Sequence, residues 1–235
     1  GVPLTDERLA DGIRVANRIR ATLRSLREAV FAAPRAPLPA LELLIAEMLI
    51  IHFCSDRTET EAVLEALLAE VRGRVARGAG YGRADDVRLF WVNPVADLRA
   101  MIEMESCGAR LCGTDFLFTH ALAPIAEDLP PLEALARSAL ADPMVGPASQ
   151  RAERVADEMR RLGAEALVVA RIPGASHCAH EGARLIEEVR RRLGVPCLDL
   201  GVPPLCDACT GALRTRLEAL VEAARGVSVE GGRTL

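Results

Sequence analysis

Leu193-Gly194-Val195-Pro196-Cys197-Leu198-Asp199-Leu200, then Cys206-Asp207-Ala208-Cys209, then Gly211-Ala212-Leu213-Arg214-Thr215-Arg216-Leu217-Glu218-Ala219-Leu220 read in turn as a short apolar strand, a thiol-bearing turn and an amphipathic helix. Strand, loop and helix in that order make one unit of an α/β sheet. Ligands of open α/β sheets bind outside the carboxyl ends of the strands, so the thiols of this turn fall where chemistry is usually done.

The same alternation recurs upstream. Residues 87–92, 109–112 and 166–170 are short apolar runs, with helical periodicity over 95–106, 132–141, 150–162, 183–193 and 211–224. Four apolar strands alternating with helices predict a doubly wound parallel sheet of about four strands. Ahead of it, Thr5 followed by Asp6 and Glu7 marks a helix start, a capping hydroxyl and two acids at the positive end of the dipole. Leu9, Ile13, Ala16, Ile19, Leu23, Leu26 and Val30 then form one apolar stripe. Pro34, Pro37 and Pro39 end that run; residues 41–53 are apolar nearly all round and predict a central helix, and 58–75 a third helix. The chain thus divides into a segment of three helices over 1–82, an α/β domain over 83–226 and a frayed tail over 227–235. Gly78-Ala79-Gly80-Tyr81-Gly82 follows a helix and precedes a strand, the reverse of a dinucleotide fingerprint, and reads as a helix cap and linker.

Composition narrows the function. A chain of 235 residues, half of them hydrophobic, buries a substantial core. A net charge of -4 with one Trp, one Tyr and five Phe supplies neither a basic face nor stacking platforms, which excludes nucleic acid as a partner. The apolar run 41–53 carries Glu42 and Glu47 and falls short of the roughly 20 residues that span a bilayer, which argues against a membrane. No basic-then-apolar leader opens the chain, and its seven cysteines are odd in number, so the expectation is a cytoplasmic protein with thiols in the core or on a metal.

On this strand reading Cys112 ends the second strand, Cys178 follows the third, and Cys206 and Cys209 follow the fourth, placing four thiols at one sheet edge. Iron-sulfur and zinc sites need several thiolates converging from different segments. A single Cys-x-x-Cys pair does not by itself specify a metal, and Cys54, Cys107 and Cys197 read as core residues. His177-Cys178-Ala179-His180 gathers three potential ligands in one loop. Asp115 and Asp199 are single acids at strand ends that orient a ligand or cap a helix. Arg171 is read either as a contact for a phosphate or carboxylate or as half of a surface ion pair.

Several segments carry a resemblance: Asn93-Pro94 with the following Asp97-Leu98 and Ile102-Glu103, Gly108-Ala109-Arg110-Leu111, Asp142-Pro143, Cys178 after a valine-rich strand, Gly194-Val195-Pro196, and 211–219 with its Arg214-Thr215-Arg216 core. On these the chain resembles the 2-hydroxyacyl-CoA dehydratase and benzoyl-CoA reductase family, specifically the carboxyl-terminal portion of its iron-sulfur D-component. The last segment is the most specific, with Ala212 where the family has glutamine. The resemblance implies one subunit of a lyase or reductase of anaerobic metabolism that acts on CoA thioesters beside a homologous second subunit. It also implies a [4Fe-4S] cluster held by three cysteines between two α/β domains, and a separate ATP-dependent iron-sulfur activator that supplies an electron. In the dehydratases that electron makes a ketyl radical of the thioester carbonyl; in the reductases it enters an aromatic ring. The protein's part in such chemistry is position, dryness and electrostatics. Of the family's ligands only Cys178 maps onto this chain, Asp199 is what remains of an acidic pair, and the family's amino-terminal domain with its earlier ligand cysteines lies outside the resemblance. Two alternatives stand beside it: a shortened, cluster-less relative serving as a structural or assembly subunit, and a self-contained iron-sulfur or zinc protein using Cys112, Cys178, Cys206 and Cys209.

Overall fold

The computed structural model describes the backbone of residues 3–52, 56–95, 97–175, 180–204 and 210–231. Helix α1 (Asp6–Ala32) starts where the sequence places it: the Thr5 hydroxyl accepts the Arg8 N–H at 3.4 Å, with Asp6 and Glu7 in the first turn. Its stripe buries Ile13, Ile19, Leu23, Leu26 and Val30. Helix α2 (Ala40–His52) is less enclosed than its composition predicts, because Leu43, Leu44, Ala46 and Glu47 are buried while Ile45 is 57% exposed. Helix α3 (Arg57–Ala76) is capped by Asp56, whose carboxylate accepts the Glu59 N–H at 3.0 Å. Gly78, at φ 63°, follows that helix in the left-handed region a side chain disfavours, and Tyr81 then bridges to Ala36, so the glycine-rich loop is a cap and linker.

Four strands follow, β1 (Val87–Val92), β2 (Ala109–Asp115), β3 (Ala166–Arg171) and β4 (Cys197–Gly201), all parallel and ordered β2-β1-β3-β4. Between and after them run α4 (Arg99–Ser106), a 3-10 turn (Thr119–Leu122), α5 (Pro131–Leu140), α6 (Ala148–Leu162), α7 (Gly182–Leu193) and α8 (Thr210–Gly231). Alternation along each strand divides the sheet between two helical layers. Val87, Leu89 and Trp91 of β1, with Ala166, Val168 and Ala170 of β3, join one apolar cluster with α1, α2, α3, α4 and α8. Phe90, Val92, Leu167 and Val169 face Ala152, Val155, Ala156 and Met159 of α6 and Leu185 and Val189 of α7.

Most boundaries move by a residue or two from the sequence reading, and those of β2, α4 and α8 move further. β2 continues past Cys112 to Asp115: its pairing with β1 shifts register after Leu89, and Gly113 lets the Phe90 ring lie 2.5 Å from where a Cβ would stand. α4 starts at Arg99, because Asn93 and Pro94 turn the chain first and Asp97 accepts the Arg99 N–H at 3.0 Å. α8 runs beyond Ala224 to Gly231.

Glu105 of α4 ties two helices of one layer together, its carboxylate accepting the Ala40 N–H at the start of α2 at 2.8 Å. Burial, with Asp86 and Glu42 adding to it, outweighs that hydrogen bond and pushes the Glu105 carboxyl up to about 7. A raised carboxyl stabilises the fold below its ordinary value near 4.5, and the contribution is lost as pH rises through about 7. Glu105→Gln is therefore expected to flatten the fall in stability between those pH values, read as the wild-type minus variant difference in urea unfolding across pH 4.5 to 8. A difference independent of pH would refute the assignment.

Candidate functional site

The strand order reverses direction between β1 and β3: from β1 the chain moves out to β2, returns to lay β3 on the other side of β1, and goes on to β4. At such a switch point the carboxyl ends of the two central strands diverge and open a crevice. Asn93, the first residue after β1, stands there fully buried at φ 72°. Its amide Nδ2 donates to the Ala170 carbonyl of β3 at 3.1 Å, and its backbone N–H donates to the Asp115 carbonyl at 3.0 Å. One residue, through its backbone and its side chain, thus joins the ends of three strands, which accounts for a left-handed conformation that asparagine tolerates better than most residues.

Arg151 of α6, 1% exposed, organises the rest. Its Nε donates to the Asp115 carboxylate at 2.9 Å, Nη2 to the Asn93 side-chain oxygen at 2.9 Å, and Nη1 to Glu181 at 2.8 Å. Arg154, on the exposed side, donates to the other Asp115 oxygen at 2.5 Å. Burial opposes the charge on Arg151, but Asp115 and Glu181 outweigh it, and the guanidinium is held above its ordinary value. Each nitrogen of this buried arginine has an acceptor, the condition under which a buried ion pair is tolerated. Glu181 directly precedes α7, so the network fastens the end of the β3–α7 crossover to the crevice.

Farther along the same edge Arg171 ends β3 and pairs with Asp199 of β4, both partly exposed, and Arg216 of α8 donates to the Asp199 carbonyl at 2.5 Å. Arg171 is thus half of an ion pair. Within the Arg214-Thr215-Arg216 segment of α8, Arg216 clasps β4 while Arg214 pairs with Glu103 of α4 and with Glu218.

Cys112 lies inside β2, three residues short of the edge the sequence reading gave it. It is fully buried, and burial pushes its thiol up to about 12 in spite of Arg88 and Arg110 nearby. Cys112 therefore stands within the packed strand and not at its carboxyl end, where the sequence reading placed it. Cys178, Cys206, Cys209, His177 and Cys54 lie outside the described residues. Cys197 opens β4 and is half-buried, its thiol donating to the Val195 carbonyl at 3.3 Å; Cys107 is half-buried against α8. Among the described residues no group of three or more His, Cys, Asp or Glu is arranged to hold a metal ion, and no helix is long and apolar enough to cross a membrane.

Sequence reasoning singled out Asn93 and Asp115 but missed Arg151, Arg154 and Glu181. A signal for Arg151 existed, since it stands four residues before Val155 and eight before Met159, on the apolar stripe of α6.

The segments that carry the family resemblance occupy structurally decisive places: Asn93 at the switch point, Gly108 to Leu111 leading into and along β2, Gly194 to Pro196 before β4, and Arg216 clasping it. Comparison with curated proteins finds no match. The family model described as 2-hydroxyglutaryl-CoA dehydratase, D-component, matches residues 1–223, and with nearly the whole chain inside that match and its marker residues placed at the crevice and along the strands around it, the chain belongs to this family.

Proposed function

We propose that the chain works as the D-component-type subunit of a 2-hydroxyacyl-CoA dehydratase, beside a homologous second subunit and served by an ATP-dependent iron-sulfur activator. In this reading Cys178 is its thiolate ligand to a [4Fe-4S] cluster that meets a CoA thioester. The family match over residues 1–223 carries the proposal. The crevice supports it, because Glu181, three residues after Cys178 in sequence, is fastened by Arg151 beside Asn93 and Asp115. Cys112 lies within β2 and away from the crevice end of the strand, and the remaining ligands are assigned to another polypeptide segment.

When bound, the cluster supplies a single electron at low potential to the thioester carbonyl. The chain's own residues prepare the edge for that work. Arg151 and Arg154 together balance the charges of Asp115 and Glu181, so these two carboxylates leave no net negative charge at the crevice to repel an anionic acyl-CoA. Asn93 and Arg216 fix the ends of β1 and β3 and the course of β4, giving the crossover a rigid base.

Cys178→Ser, prepared anaerobically in the assembled complex with its partner subunit, is expected to lose cluster iron and sulfide and to drop electron-driven dehydration to background. Unchanged iron content and turnover would instead point to a subunit whose role is structural.

A further inference from the structure

At the amino-terminal edge of the sheet, opposite the crevice, lies a cleft of about 560 Å³ walled by Arg88, Arg110 and Arg225 and by Asp85, Asp86 and Glu165. Arg110, the second residue of β2, is only 4% exposed, and its Nε and Nη1 are buried without a hydrogen-bond partner among the described residues. Of the acids of the cleft, Asp85 is gripped by the Arg83 guanidinium at 2.8 and 3.0 Å, while Asp86 accepts the Arg83 backbone N–H at 2.6 Å and Glu165 the Arg88 backbone N–H at 2.8 Å, neutral donors that leave those two carboxylate charges facing the three arginines of the wall. The Arg88 guanidinium donates to the neutral carbonyls of Phe31, Leu162 and Gly163, so these contacts leave its positive charge in the field of the cleft. Burial, and then Arg88, hold Arg110 below the ordinary arginine value. Gly108, at φ 84°, leaves its side-chain position open to the Arg225 guanidinium, whose Nη2 would stand 2.9 Å from a Cβ there.

A buried guanidinium whose N–H groups lack acceptors is costly unless an anion meets it. Where Arg151 meets that requirement with two carboxylates and an amide, Arg110 has no acceptor for its Nε and Nη1 among the described residues. We propose that this cleft is a binding site for a small oxyanion, a phosphoryl or carboxylate group held by Arg110 with Arg88 and Arg225 supplying further positive charge. Such a contact is a charge-assisted hydrogen bond, the strong kind, and it orders β2 against α8 from the side opposite the crevice.

The test uses the full chain, titrated calorimetrically with inorganic phosphate and separately with succinate, against potassium chloride of equal ionic strength. Saturable binding of either anion supports the site, and the arm that binds tells phosphoryl from carboxylate. The thermal midpoint should then rise on the order of 5 °C at about a hundred times Kd. Arg110→Met should fold in chloride at least as well as the wild type and lose at least tenfold in affinity, and Arg225→Gln, at an exposed position, should lose severalfold. Heats and midpoints in phosphate and succinate no different from those in chloride, or equal affinity in the wild type and both variants, would overturn the proposal.

Discussion

Arg151→Met is expected to lower the stability of the chain by about 3–5 kcal/mol, the usual cost of removing one partner from a buried ion pair. The substitution keeps most of the side-chain volume, so the loss comes from charge. Among the described residues, Asp115, buried at the end of β2, then keeps only the half-exposed Arg154 as an ion-pair partner, and Asn93 loses the donor to its side-chain oxygen. Arg154→Ala removes a contact to the same carboxylate from the solvent side and is expected to cost about 1 kcal/mol or less. Combining Arg151→Met with Asp115→Asn should recover part of the single-variant loss, because the stranded charge is then gone. Urea unfolding of the four proteins measures these differences. Equal costs at 151 and 154 would show that the network contributes through packing alone.

Leu23→Ala is expected to cost about 2–5 kcal/mol, as for other fully buried leucines, and to destabilise the sheet as much as the helices. Leu23 is in α1, yet it belongs to the same apolar cluster as Trp91 of β1, the single tryptophan of the chain. Trp91 is fully buried, so its fluorescence reports the sheet while far-UV circular dichroism is dominated by the helices. Both signals should move together to a lower denaturant midpoint in one transition. A helical signal lost early, with the Trp91 transition unmoved, would mean that residues 1–82 fold as an independent unit.

The legible parts of the fold share a property: their signals are local. Val87–Val92 and Ala166–Arg171 are uninterrupted apolar runs between turns, and Thr5 with Asp6 and Glu7 states a helix start within three residues. β2 was legible only as far as Cys112 because Gly113 and Thr114 resemble a turn in sequence. The Phe90 ring from another strand and the Leu162 side chain from α6, 2.5 and 2.7 Å from where a Cβ would stand, explain a glycine inside that strand. The exposure of Ile45 was hidden for a related reason: an apolar helix does not declare which side its neighbours leave open. The crevice was half legible. Asn93 and Asp115 could be placed at strand ends, but the arginine that joins them to Glu181 comes from α6 and meets its partners 30 to 58 residues away in the chain. Ion pairs of that span leave no periodicity to read.

The order of strands also bears on how the chain is made. Asn93 and Ala170, bonded across the centre of the sheet, are 77 residues apart. At about 5–20 residues per second, a ribosome needs roughly 4 to 15 s to supply that span. β2 follows β1 closely and covers one of its edges, while the other edge, as apolar as Phe90, Trp91 and Val92 make it, has no neighbour until β3 emerges. A bare strand edge is a template for pairing with another chain. Crowded polysomes should therefore be where this protein aggregates, and slowing translation between codons 93 and 166 should worsen its yield more than the same pause after 171.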